Sequence, residues 1–370
     1  FLLYGHKDAI SRVQLSAPVD WTLRYPDLNV LPTIERIDEE QVIVSPDLIY
    51  NTFFFISRAE ELLNPQRDEH GRFVARYSIL GQSNRLQIPL VDEYGRLLMK
   101  ALNLPLPTAD FANICLTHDI DTIDYYHHLR GAVGGLLRGQ WKQVLDSWRD
   151  INNDPAYTFQ WLENQDSLKE QKGIGNFEVI YFVKQTCGKG YDYPQYPLSR
   201  VPQLNAKIGL HSSYYGELPN SITRVASTTD VPPIKTRNNS IQEPILHRSH
   251  YLRCSIDQMQ KLADYGITDD YTMGFADCAG FRLQTCRPVR WINPKTMKLT
   301  NLVLHPLTIM DCTLSNENYM NLNEDEAYFY CQELISRVRE HHGELVLLWH
   351  NHVFESSYHR SLYSKLLDSL

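Results

Sequence analysis

Six short apolar runs punctuate the chain after residue 110: NICLTHD (113–119), NFEVIYFV (176–183), KIGLHS (207–212), ILHRSHY (245–251), NLVLHPL (301–307) and ELVLLWHN (344–351). Stretches of helical period lie between some of them, among them SIDQMQKLADYG and EDEAYFYCQELISRVREHHG. Strands that alternate with helices build a parallel sheet. Several of the runs end in histidine or aspartate. In a closed α/β barrel the chemistry gathers at the C-terminal ends of the strands. The pattern therefore predicts an α/β fold, an irregular (β/α) barrel rather than an open sheet.

Upstream the pattern differs. QVIVSPDLIYNTFFFISRAEELL reads as a short strand followed by an aromatic-rich helix, RDEHGRF (67–73) as a turn, and IPLVDEYGRLLMKAL as an extended piece entering an amphipathic helix. NLPLPTAD (103–110), with two prolines, reads as a linker. The expected division is an accessory α+β domain over 1–105 and a barrel domain over 108–370.

Composition removes several classes. With 370 residues the chain can bury a large core without covalent staples. Its formal charge of −8 and the lack of a basic run argue against a nucleic-acid binder. No run of about 18 apolar residues suggests a membrane span. The seven cysteines stand singly, at 115, 187, 254, 278, 286, 312 and 331. That spacing suggests neither a disulfide framework nor a zinc knuckle, and it points to a reducing, cytoplasmic setting.

The stretch ANICLTHDIDTIDYY (112–126) carries the chemistry. Its DxDxT core, Asp119-Ile120-Asp121-Thr122, admits several readings. A phosphotransferase would use Asp119 as nucleophile and Asp121 as acid/base. A nucleotide-sugar transferase would hold a metal through the aspartate pair. A metal-dependent hydrolase would place one carboxylate on the ion and let the other take a proton from water. A helix N-cap would use the same residue types with no chemistry at all. Asp119 and Asp121 stand two apart, so a regular strand points both to one face and turns Ile120 into the wall. His211, His250 and His350 close later runs and suit a divalent ion; the hydrolase reading accounts for them and the phosphotransferase reading does not.

The motif LTHDID (116–121), followed in order by IGLHSSY (208–214), HRSHYLR (247–253), DYTMGFADCAGFRLQTCRP (270–288), HPLTIMD (305–311) and LLWHN (347–351), resembles the polysaccharide deacetylases with a NodB-like catalytic domain. It looks closest to the branch whose first motif reads LTHDVD. FFFISRAEE, DEHGRF and IPLVDEYGRLL look like the N-terminal domain of that branch. The resemblance implies a divalent metal, with zinc as the expected ion, and an N-acetylated sugar or polysaccharide as substrate. It implies Asp119 as general base, Asp121 and His211 as metal ligands, and His350 as the acid that protonates the departing amine. Arg248 falls where the family has an arginine that holds the base.

One departure is plain. The family's second motif places another histidine four residues on, and here that position is Tyr215. His250 is the expected replacement ligand, with His118 in reserve. Arg282 suits either a pair with a carboxylate of the site, the favoured reading, or a role holding the long loop after the run 245–251. Asp270 suits either a supporting contact or a turn. Tyr214, Tyr215, Trp291 and Trp349 suit either sugar stacking or core packing. His341 and His342 fit the last turn of a helix, and His127 and His128 the surface. The competing readings are a metal-free amide hydrolase of the same fold and a carbohydrate-binding descendant without turnover.

Overall fold

The computed structural model describes residues 20–28, 33–36, 42–45, 47–170, 177–184, 190–192, 201–202, 206–219, 234–235, 241–242 and 244–370. Cys187 lies outside them, and the other six cysteines are free thiols.

Nine strands form the main sheet: β1 (Asn113–Ile120), β2 (Phe177–Lys184), β3 (Lys207–Ser212), β4 (Leu246–Ser249), β5 (Asp269–Asp270), β6 (Val289–Asn293), β7 (Lys298–Leu304), β8 (Ile309–Met310) and β9 (Glu344–Leu348). Their spatial order is 6-7-5-4-3-2-1-9-8. The β6–β7 pair is antiparallel, and every other pairing is parallel. The expected barrel is only partly realised. The end strands β6 and β8 do not pair among the described residues, so the sheet is a curled half-barrel and not a closed cylinder. β8 is two residues long and β6 is bound only to β7, which leaves too little ladder to close the ring.

The curl is visible in one side chain. His305, just past β7, contacts Glu344 at the start of β9 (Nδ1–Oε2, 2.6 Å) and Asp269 on β5 (Nε2–Oδ1, 3.1 Å). β7 and β9 are six positions apart in the sheet, so one ring reaches both only across the concave face.

Strand alternation sorts the core into two layers. Cys115, Ile180, Phe182, Leu246, Val346 and Leu348 fill the concave side with Tyr271 and Leu307. Ile114, Leu116, Ile120, Tyr181, Val183, Leu345 and Leu347 face the other way. There they pack under α5 (Phe159–Glu170), α7 (Glu324–Glu340) and α8 (Ser357–Ser369). Gly209 on β3 is required by this packing, since a Cβ there would stand 2.5 Å from the Phe182 ring.

The helices begin where their sequences say they should. Asn323 and Glu326 form a capping box at the start of α7. Ser255 and Gln258 do the same for α6 (Ile256–Tyr265), which ends on left-handed Gly266. Upstream, α1 (Leu48–Ile56) is capped by Asp47, and α2 (Leu90–Ala101) carries the amphipathic pattern. Phe53, Phe54 and Phe55 of α1 pack with Phe73, Leu80, Leu86 and Phe275, so the upstream segment shares a core with the loop after β5.

The closed end of the concave side holds a polar network. Asn113 donates to Glu178 (2.9 Å) and Glu344 (3.1 Å), the Cys115 thiol donates to Glu178 (3.1 Å), and Lys207 pairs with Glu178. Burial alone would lower the His305 pKa, but Glu344 and Asp269 push it up to about 10. A histidine raised in this way stabilises the fold fully below its ordinary value of 6.5, and that contribution is lost as pH climbs toward 10. Replacing His305 by Gln should therefore cost about 3 kcal/mol at neutral pH, because it leaves Glu344 buried without its cation. In denaturant melts the gap between wild type and variant should narrow between pH 6.5 and 10. A gap that does not depend on pH would refute the assignment.

Candidate active site

The parallel strands end on one side of the curl, and alternation fixes which side chains meet there. On β1 the inward series is Cys115, Thr117, Asp119 and then Asp121; on β2 it ends at Lys184; on β3 at His211. On β4 it runs Leu246, Arg248, His250, and after β9 it continues from Leu348 to His350. Each of these residues shares the parity of the concave core.

The structure brings them together. Asp121 Oδ1 stands 3.5 Å from His211 Nε2 and 3.3 Å from His250 Nε2. His350 Nε2 is 3.7 Å from Asp121 Oδ2, and His211 Nε2 is 3.7 Å from Asp119 Oδ2. Arg248 Nη1 donates to Asp119 Oδ1 at 2.9 Å and to the Thr117 hydroxyl at 2.8 Å, and its Nε donates to the Tyr271 carbonyl. His250 sits one residue past the β3–β4 register pair Ser212–Ser249, beside His211, with ring centroids 4.9 Å apart. Tyr215, four residues after His211, is half exposed.

Each imidazole is oriented by an acceptor. His211 Nδ1 donates to the Arg248 carbonyl (3.1 Å), His250 Nδ1 to Asp192 Oδ1 (3.0 Å), and His350 Nδ1 to Asp311 Oδ1 (2.9 Å). In all three rings Nε2 is left facing Asp121, the arrangement typical of metal-binding and acid–base histidines.

The charges divide the site into two parts. Burial would raise the Asp121 carboxyl, but His250, His211 and Lys184 overcome it and hold that group well below the carboxylate range. Burial pushes His211 down. His350 goes the other way: burial opposes its charge, yet Asp311 raises it well above the ordinary histidine value. Asp311 is correspondingly held at about 2, since His350 outweighs its burial. Burial and the neighbouring His350 charge lower His352.

Asp121, His211 and His250 fit a divalent cation. Their ligand atoms lie within 4.8 Å of one another. Asp121 Oδ1 and His211 Nε2 are both buried without a hydrogen-bond partner. Two ligands about 2.1 Å from one tetrahedral ion stand roughly 3.4 Å apart, and the observed 3.3 and 3.5 Å separations match that span.

Other expected residues sit elsewhere. His118 has the outward parity, and its ring is fixed by the Trp349 carbonyl and Asp166 on α5, so it does not reach the cluster. Arg282, expected beside a site carboxylate, is held by Glu61 (2.8 Å) and the Gly274 carbonyl. It ties the upstream segment to the loop after β5. Asp270 is a buried partner of His247 (2.7 Å). Trp291 and Trp349 are fully buried. His127 and His128 are half-buried rather than surface residues, bonded to the Ser147 carbonyl and to Asp124. His341 caps α7 and meets Glu93. The residues that sequence reasoning missed are Lys184, 3.6 Å from Asp121, with Asp192, Asp311 and His352. Lys184 ends a strand-like run, which is the signal that could have found it.

Comparisons with known proteins add little to this geometry. Residues 6–107 match a family of unknown function, DUF7033. No curated protein matches the chain. One solved structure, a candidate polysaccharide deacetylase involved in O-antigen biosynthesis from Bordetella bronchiseptica, aligns at 13% identity over 64% of this chain and 71% of its own, with a TM-score of 0.29. An overlap at that level leaves the functional reading to rest on this chain's own residues.

Asp192 reaches the cluster only through His250 and should act as its positioning residue. Asp192→Asn should weaken zinc binding roughly 10- to 100-fold in calorimetric titration. An unchanged affinity would remove His250 from the ligand set.

Proposed function

We propose that this protein is a metal-dependent amide hydrolase that removes an acetyl group from an N-acetylated sugar or polysaccharide. The observation that carries the reading is the meeting of Asp119, Asp121, His211, His250 and His350 in one cluster, with Arg248 fixed on Asp119. Amide hydrolysis needs an activated water, stabilisation of a developing oxyanion, and a proton for the leaving amine.

Asp121, His211 and His250 would hold a divalent cation, for which zinc is the natural choice given two imidazoles and a carboxylate. Such a cation supplies Lewis acidity toward water and toward the amide carbonyl. Asp119 is the base: Arg248 fixes its Oδ1, and Oδ2 on the His211 side is the oxygen that takes the proton. His350, kept charged by Asp311, delivers a proton from Nε2 to the departing nitrogen.

The rim supports a carbohydrate. Tyr191 and Tyr215 are half exposed, and Tyr214 and Tyr251 pack against Tyr191 and His250. Aromatic faces beside a polar cavity suit sugar rings, which present apolar C–H faces and polar edges. His70 from the upstream DEHGRF turn reaches this rim through the Tyr214 hydroxyl (3.2 Å). In this reading residues 1–105 form an accessory part that shapes the sugar site, and 108–370 carries the chemistry.

A second reading has one observation of its own. The Lys184 ammonium, 3.6 Å from Asp121 Oδ1, places a cation beside the proposed metal carboxylate, as a metal-free amide hydrolase could use. Chelation separates the two: acetate release should vanish on exhaustive removal of metal and return with zinc. Activity that persists without metal would favour Lys184. Asp119→Asn should lower acetate release by at least roughly 100-fold while zinc binding is kept. Undiminished turnover would refute the base assignment. In Asp311→Asn the loss of the neighbouring carboxylate should lower the His350 pKa. The alkaline limb of the rate profile should then move to lower pH, and a limb that stays in place would take the acid role from His350.

A further inference from the structure

We propose that the helical hairpin following β1 is a docking surface for an anionic lipid bilayer. The hairpin consists of α3 (Leu129–Leu137) and α4 (Trp141–Arg149), and it begins eight residues after Asp121. This surface is independent of the reaction proposed above.

The hairpin is amphipathic in the wrong sense for a helix packed on a core. In α3 the buried positions are the small Ala132 and Gly135, while Leu129, Val133, Leu136 and Leu137 are exposed. They fall at i, i+4, i+7 and i+8, one continuous stripe on a helix of period 3.6. In α4 the buried positions are Val144 and Ser147, while Trp141, Leu145 and Trp148 form the outward stripe at i, i+4 and i+7. Leu137 is 85%, Leu129 77% and Trp141 62% exposed. Seven of the fifteen large exposed apolar residues among the described ones fall in this one 21-residue segment, so they form a patch and not a scatter.

The patch is held rigidly. A Cβ on Gly135 would stand 2.6 Å from Val144 and 3.0 Å from Tyr126, so the two arms touch closely and large side chains have no room between them. Asp154 accepts from the backbone N–H of Tyr125 and Tyr126 and from the Ser147 hydroxyl, each at 2.8 Å. The Trp148 indole donates to the Tyr126 carbonyl. The outward leucines and tryptophans are therefore displayed by a small built unit, with Tyr126, Ala132 and Val144 as its own core.

Charge selects the occupant. Arg130, Arg138, Lys142 and Arg149 are exposed among the apolar residues, and Asp146 is the one acid between 129 and 149. The segment is thus +3 in a chain whose formal charge is −8. Leucine and tryptophan interleaved with arginine and lysine match the boundary between acyl chains and acidic headgroups, with long basic side chains reaching outward to phosphate. No described helix is long and apolar enough to cross a membrane, so the contact lies in the plane of the interface.

The test is flotation of the whole protein with phosphatidylcholine vesicles, with and without phosphatidylglycerol. The protein should float with the phosphatidylglycerol vesicles, and less so at high salt. The double variant Leu137→Gln, Trp141→Gln should partition at least roughly tenfold less, with unchanged circular dichroism and melting temperature because both side chains are exposed. Three outcomes would overturn the proposal: wild type that stays with the vesicle-free fraction, a double variant that floats as well as wild type, or a hairpin-dependent dimer in light scattering without vesicle binding.

Discussion

The buried guanidinium of Arg248 is the interaction on which the concave side depends. It reaches from β4 to Thr117 and Asp119 on β1 and to the Tyr271 carbonyl after β5, and it lies 4.5 Å from the centre of the Phe182 ring on β2. One side chain therefore spans the middle of the sheet. A buried arginine is tolerated only when its charge is met, the more so here because its Nη2 is buried without a hydrogen-bond partner. Asp119 meets that charge, so the carboxylate read as the base is also the counterion that lets the strands curl around a cation.

Strand alternation made most of this arrangement legible in the sequence. The six apolar runs fall on strands of the main sheet that begin at 113, 177, 207, 246, 298 and 344, and a period of two carries the inward series of β1–β4 and β9 to their polar ends. That rule alone separates Asp119 and Asp121 from His118, which stands between Thr117 and Asp119 but points to the helices. It also places His250 two residues beyond Arg248, on the same face and next to His211 on the adjoining strand. His250 thus stands beside His211 from the adjoining strand, and Tyr215, four residues after His211, is half exposed.

What remained illegible depends on contacts far apart in the chain. Asp192 lies 58 residues before His250, in a short turn with no periodic pattern. Asp311 follows a two-residue strand too brief to register as one. Arg282 is expected to meet a carboxylate of the site, but its partner Glu61 comes from the upstream segment, 221 residues away. Closure of the barrel could not be read either, since β6 pairs only with its own hairpin partner and the pattern of apolar runs does not say which edge strands meet.

The charges in the cluster constrain how a cation could enter. Asp119, Asp121, Asp192 and Asp311 face Arg248, Lys184 and the charged His350, which leaves the group close to balance before any ion arrives. Arg248 and His350 are each committed to a carboxylate outside the proposed ligand set, Asp119 and Asp311. Lys184 is not: its nearest acid is Asp121, the carboxylate that would also bind the ion. A divalent cation therefore competes with Lys184 for one oxygen. The flexible four-carbon stem of lysine allows its ammonium to swing away, which a guanidinium wedged as Arg248 is could not do. In the proposed amide hydrolysis, the displaced ammonium would be a second positive charge available to a developing oxyanion.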